Sequence, residues 1–213
     1  PLRDLAPVAQ IAVVPTVIGV GPGVPAKNIR EFIALTKSKP GTMTYASAGN
    51  GSASHFVGEL FKSLTGASLM HVPYKGAAPA MTDLLGGRLD AVFLGLSGVQ
   101  QQTSVRIIAV TNPERAPQIP NVPTVAEEVP EYRPKNFYAA WVGLHGPRAL
   151  PPAVVAELNS LLEKGLTHAD TRRQMIEVGS VPQYLGAAEF TKKIASEATG
   201  FAEMVKQFNI RAD

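Results

Sequence analysis

The stretch Thr44-Tyr45-Ala46-Ser47-Ala48-Gly49-Asn50-Gly51-Ser52-Ala53-Ser54-His55 concentrates the residue types of this chain that could do chemistry. Tyr45 closes a short β-prone run, and Gly49-Asn50-Gly51 tolerate positive φ. Ser52 or Ser54 can cap a helix that Phe56, Leu60 and Leu64 continue. A strand, a tight loop and a helix start leave backbone N–H groups without helical partners. With the hydroxyls and the positive end of the helix dipole, those donors suit a carboxylate or phosphate. The spacing predicts an anion cradle made of Ser47, Ala48, Gly49, Asn50, Gly51, Ser52 and Ser54, with His55 beside it. The same residues also describe an ordinary βα turn capped by serine.

Pro73-Tyr74-Lys75-Gly76 forms a second strand-to-helix loop. Tyr74 could meet a ligand by stacking or through its hydroxyl, and Lys75 by charge, although a lysine in a turn is ordinarily just solvated. Serines next to His55 suggest a nucleophile, yet adjacent positions at a helix start do not aim a hydroxyl at an imidazole, and no orienting acid is evident. His55 reads instead as a helix-surface or cleft residue. His55, His71, His145 and His168 stand far apart with no metal-ligand spacing, so no metal and no cofactor is expected. There is no GxSxG elbow, Walker loop or dinucleotide fingerprint, and the absence of cysteine removes thiolate chemistry. Asp83 and Asp90 read as solvent or capping groups, and Trp141 more as core than as contact.

The elements that must hold these loops follow from pattern. Residues 9 to 20 are β-branched and nearly continuous, as in a strand buried on both faces, with Pro15 breaking the run in two. Helices are predicted over 29 to 39, 53 to 65 and 77 to 86, and strands over 42 to 46, 68 to 72, 89 to 95 and 105 to 110. This alternation predicts a mostly parallel sheet with helices on both faces, and ligands in such sheets bind beyond the carboxyl ends of the strands. Prolines from 113 to 134 space a long connection, a strand follows over 137 to 144, and the tail reads as helices over 151 to 167, 169 to 178 and 187 to 208 with few strands.

The 213 residues are 45% hydrophobic, enough to bury a core, and no run of about 18 apolar residues occurs. Net charge is +3 and scattered, where a nucleic-acid protein would show a basic stripe. A chain opening Pro1-Leu2-Arg3-Asp4 reads as the middle of a longer polypeptide or a processed product.

Tyr45-Ala46-Ser47-Ala48-Gly49-Asn50-Gly51-Ser52, His71-Val72-Pro73-Tyr74-Lys75-Gly76, Leu84-Leu85-Gly86-Gly87 and Pro120-Asn121-Val122-Pro123-Thr124 together resemble one family over essentially the whole chain. It is that of the substrate-binding proteins of tripartite tricarboxylate transporters, the Bug family of extracytoplasmic solute receptors. The resemblance implies a periplasmic, monomeric binding protein rather than an enzyme. Its fold would be the type II periplasmic-binding-protein fold, two α/β domains joined by crossing strands, closing on a small organic mono-, di- or tricarboxylate and delivering it to membrane subunits of the transporter. It also implies that Ser47 to Ser54 is the second-domain carboxylate element and that Tyr74 and Lys75 belong to the family's second loop. The family's other carboxylate element, a Pro-Gly-Gly loop, has no counterpart in this sequence, so the first domain is expected to be incomplete.

On that architecture residues 10 to 136 form domain 2 and residues 139 to 213 the C-terminal part of domain 1, whose helices would lack sheet partners within residues 137 to 213. Two departures stand out: Leu94-Gly95 where the family commonly has Asp-Asn, and a short connection over 97 to 104 carrying Gln100-Gln101-Gln102. A hydrolase or transferase using Ser52 or Ser54 with His55 on the same frame remains the alternative reading.

Overall fold

Pro15 divides one extended run into two strands that serve different sheets. The protein is described from a computed structural model covering residues 4–133 and 139–210. Phe137 and Tyr138, which the pattern assigns to the return strand, lie outside the described residues. Strand β1 (Leu5–Val14) pairs antiparallel with β7 (Ala140–Pro147) and β8 (Val181–Gly186), forming a three-stranded sheet in the order β7-β1-β8. Strand β2 (Thr16–Val20) joins the second sheet, of order β4-β3-β5-β2-β6, with β3 (Thr44–Ser47), β4 (Met70–Pro73), β5 (Ala91–Gly95) and β6 (Arg106–Val110). The segment 10 to 14, expected with the larger unit, is thus the inner strand of the smaller sheet.

The larger sheet is mixed. Strands β4 and β5 run parallel to β3, while β2 is antiparallel to both of its neighbours, β5 and β6. It enters from the other sheet and not through a strand-helix-strand crossover, so the rule that makes crossover-linked neighbours parallel does not bind it. Alternation along each strand divides the apolar side chains between two cores. Ile18, Tyr45 and Phe93 meet Ile29 and Phe32 of helix α1 (Ile29–Ser38) and Phe61 of helix α2 (Ala53–Thr65). Val17, Ala46, Val92 and Leu94 meet Ala80 and Leu84 of helix α3 (Ala77–Leu85).

Local chemistry explains the boundaries. Asn28 accepts the Glu31 amide, and the Glu31 carboxylate returns to the Lys27 amide at 2.8 Å, a reciprocal cap on α1. Helix α2 ends at Gly66 in the left-handed region. The Asp90 carboxylate takes the Thr44 amide at 2.8 Å and its hydroxyl at 3.0 Å, so it pins the start of β3 and is not a solvent group.

After a short helix α4 (Val125–Glu128), the tail contains helices α5 (Pro152–Thr167), α6 (Ala169–Glu177) and α7 (Ala187–Phe208). Strand β8 is not evident in the residue pattern because Pro182 interrupts it; proline is tolerated there because β8 is an edge strand. Helices α5 and α7 pack on β1 and β8, sheet partners that the pattern had not revealed, while Val154 and Leu161 of α5 stay exposed. Phe190 of α7 fills the place a side chain at Gly143 would need, 2.3 Å from an ideal β-carbon there. Trp141 stands edge-on to Phe190 at 4.9 Å and donates its indole N–H to Glu197 at 2.8 Å, a structural role.

Candidate functional site

The parallel pairing of β3 with β4 sets Ser47 opposite Pro73 and brings both glycine loops to one sheet edge. Tyr74 N–H donates to Ser47 O at 3.2 Å and Gly76 N–H to Ala48 O at 3.3 Å, which ties the loops together. Gly49 at φ +131° and Gly51 at φ +71° carry the backbone through conformations that L side chains rarely adopt. The Gly49 β-position is also 3.1 Å from Tyr74 O.

Most of the loop donors expected to face a ligand are instead taken by the loop's own side chains. Ala48 N–H donates to Ser54 Oγ at 3.0 Å, Gly49 N–H to Ser47 Oγ at 3.2 Å and Gly51 N–H to His55 Nδ1 at 3.2 Å. Ser52 Oγ accepts the His55 amide at 3.3 Å as the helix cap and donates to Gly49 O at 2.7 Å. Asn50 is half-buried between the two glycines. Among the described residues, the amides of Ala53 and Ser54, in the first turn of α2, have no protein acceptor. These two donors and the helix dipole behind them are what the cradle offers an anion.

His55 is buried, not on the helix surface, and it does not stand alone. Its ring stacks on His71 of β4 with centroids 3.8 Å apart and planes at 14°. His71 Nε2 lies 2.7 Å from Ser47 Oγ. Neither ring takes a proton at the usual histidine pH: burial lowers both, and the neighbouring His55 helps bring His71 down to about 4. Beneath them Tyr45 donates its hydroxyl to Glu59 at 2.8 Å, Lys62 pairs with Glu59 at 2.9 Å, and burial, then Glu59, push the Tyr45 hydroxyl well above its ordinary value.

His71 escapes sequence reasoning because only the β3-β4 register, which sets Tyr45 opposite His71, brings it under the loop. Tyr74 does not offer its hydroxyl to a ligand; it donates to Asp83 at 2.6 Å, and Arg88 pairs with the same carboxylate. Asp83 is thereby a partner of Tyr74 as well as of solvent, and Lys75 is exposed in its turn. Ser52 and Ser54 bond each other at 3.0 Å and the backbone, with no imidazole partner among the described residues. The serine that does meet an imidazole, Ser47, is fully buried, so the nucleophile reading lacks an accessible hydroxyl.

A cavity of about 410 Å³ adjoins the loop, lined by Gly51, Ala53, Phe56, Trp141, Glu197 and Phe201 together with Ala139 and Ala140. The rings of Phe56 and Phe201 stand 4.7 Å apart, so an aromatic wall lies beside the Ala53 amide. At the sheet crossing, Leu94 is buried in the core, and a side chain at Gly95 would come within 2.8 Å of Val14 Cγ1. Leu94 thus serves the core, and Gly95 leaves room for Val14. Gln100 donates to Glu177 O at 2.9 Å, using the polar connection to join α6 to the larger sheet's unit.

Solved structures share this fold. Rpa4515 of R. palustris, solved with adipate, is 28% identical with a TM-score of 0.89, covering 99% of this chain and 70% of that one. The periplasmic binding protein BugD is 29% identical with a TM-score of 0.84, covering 98% and 71%. MatC of Rhodopseudomonas palustris, with bound malate, is 25% identical with a TM-score of 0.79, covering 94% and 69%. The fold is therefore the α/β fold of the type II periplasmic binding proteins. BugT of Bordetella pertussis is 29% identical over 210 residues, 97% of this chain, which spans 63% of that relative's length. The family model described as tripartite tricarboxylate transporter family receptor matches residues 1–210, and the chain belongs to that family.

Proposed function

We propose that this chain belongs to a periplasmic solute receptor that captures a small organic carboxylate and hands it to the membrane subunits of a tripartite tricarboxylate transporter, acting as a monomer and not as an enzyme. The observation that carries the reading is the pair of Ala53 and Ser54 amides at the start of α2, behind a glycine loop that lets an anion approach the backbone. In this reading Ser47 to Ser54 forms one wall of the carboxylate site, and Tyr74 with Lys75 shapes its rim. The aromatic wall of Phe56, Trp141 and Phe201 suits a hydrocarbon chain attached to the carboxylate. Adipate and malate in the related structures are of this class.

The two domains of this proposal divide at Pro15 and again between residues 133 and 139, one built on the larger sheet and one on β7-β1-β8. Ligand would favour a closed arrangement through contacts made by both. Calorimetry of adipate and malate against the full-length protein tests it. Saturable binding that is lost in Gly51→Val, with cooperative unfolding retained, is expected, because valine cannot comfortably adopt φ +71°. Ligand at about 100 times its dissociation constant should add about 2.7 kcal/mol of stability. No heat and no thermal shift with any di- or tricarboxylate would remove the reading.

A further inference from the structure

We propose that the stacked imidazoles of His55 and His71 are positioning residues for anion capture: as neutral rings they hold the Gly51 amide and the Ser47 hydroxyl, and so keep the loop in the shape that leaves the Ala53 and Ser54 amides to a ligand. The inference rests on the carboxylate-receptor reading for what the loop binds, but its geometry stands apart from any ligand. His55 Nδ1 accepts the Gly51 amide at 3.2 Å, which requires an unprotonated Nδ1 and assigns the proton of the neutral ring to Nε2. Ser47 Oγ accepts the Gly49 amide at 3.2 Å and meets His71 Nε2 at 2.7 Å, so the first glycine of the turn is tied to the second ring. Both left-handed glycines are thus anchored to histidines that come from different elements, α2 and β4.

Protonation has a definite consequence here. A proton on His55 Nδ1 would set N–H against the Gly51 N–H and break the tie, and two charged rings 3.8 Å apart would repel. The groups facing the pair are Ser47 and Tyr45 from β3 and Glu59 and Lys62 from α2, with Glu197 of α7 across the adjoining cavity. Glu59 and Lys62 are paired with each other, so their effects on the rings oppose, and burial decides for the neutral form. The loop should therefore be held firmly near neutrality and loosen in acid.

The test uses the full-length protein, His55→Asn, which keeps an acceptor near the Nδ1 position but cannot titrate, and His55→Phe, which has none. Imidazole nitrogen NMR and hydrogen exchange of the Gly51 amide are followed from about pH 7.5 to about pH 4.5, with adipate affinity measured in parallel. In the unmutated protein Nε2 of His55 should carry the proton, and the Gly51 protection factor and the adipate affinity should each fall by about tenfold as His55 titrates. His55→Asn should keep Gly51 protected without the pH step. His55→Phe should lose that protection at every pH while the Val57 amide, deeper in α2, stays protected. Gly51 protection that ignores either the titration of His55 or its replacement by Phe overturns the proposal. If His55→Phe does not fold, the titration of the unmutated protein decides alone. Failure of adipate and other dicarboxylates to bind while Gly51 behaves as described would remove the ligand class and leave the positioning role standing. Normal binding with an indifferent Gly51 would do the reverse.

Discussion

The ring of Tyr45 lies where a side chain at residue 58 would be, with an ideal β-carbon on Gly58 only 2.3 Å from Tyr45 Cε2. Tyr45 is fully buried between β3 and α2, stands 5.0 Å from Phe93, and holds Glu59 through its hydroxyl. The glycine is therefore what lets α2 approach the sheet closely enough to carry its first turn to the end of β3. Gly58→Ala removes flexibility that would ordinarily favour alanine in a helix, but forces the ring aside in a packed core. A net loss of about 1–3 kcal/mol in urea unfolding is expected, and an unchanged midpoint would mean that the ring moves freely.

Acid should destabilise the folded protein through His71 and His55. The unfolded chain takes up protons near the ordinary histidine value of 6.5, whereas folded His71 resists until about 4. Between those values the unfolded state binds more protons, so stability is fully present above 6.5 and falls as the pH drops toward 4, for the half-buried and partly solvent-screened His71 by less than about 1.4 kcal/mol per pH unit. Carboxylates titrate in the same window, so the informative quantity is the difference from His71→Gln, which keeps an acceptor for Ser47. Urea midpoints measured across the window should fall less steeply in the variant, and parallel curves would contradict the neutral state of the half-buried His71.

Ser52→Ala removes the oxygen that accepts the His55 amide and donates to Gly49 O. Loss of such a cap costs about 0.5–2 kcal/mol, and here it also frees the carbonyl that shapes the turn. Thermal unfolding should report the loss, and exchange of the first-turn amides of α2 should quicken while the Phe61 amide is unaffected. Equal quickening along the whole helix would assign the effect to global unfolding instead.

The elements with a local signature were legible in the residues. Helix α2 runs from Ala53 to Thr65 as its serine cap, apolar spacing and Gly66 predict, and α7 spans Ala187–Phe208 as expected. What was hidden depends on partners distant in the chain. Pro15 reads as a break, but nothing local says that Val14 and Thr16 belong to different sheets, since membership is decided by Ala140 on one side and by Gly95 and Val110 on the other. Strand β8 is masked by Pro182 until its edge position is known. The anion loop was visible as a motif, whereas its internal hydrogen bonds, which use up the amides of Ala48, Gly49 and Gly51, follow from side-chain directions that spacing does not encode. His55 and His71 look unrelated in one dimension and stack in three.

The run from Leu5 to Val20 supplies an inner strand to both sheets, and this sets an order of events during synthesis. It is made before the strands it pairs with among the described residues: Val20 must wait for Ala91 and Arg106, and Ala9 for Leu144 and Gly186. Pairings of such long sequence separation make for slow folding, and meanwhile an apolar, β-branched stretch stands without neighbours. Until residues 91 to 186 have been made, the nascent chain therefore carries an apolar, β-branched segment without these strand partners, a surface suited to a holding factor.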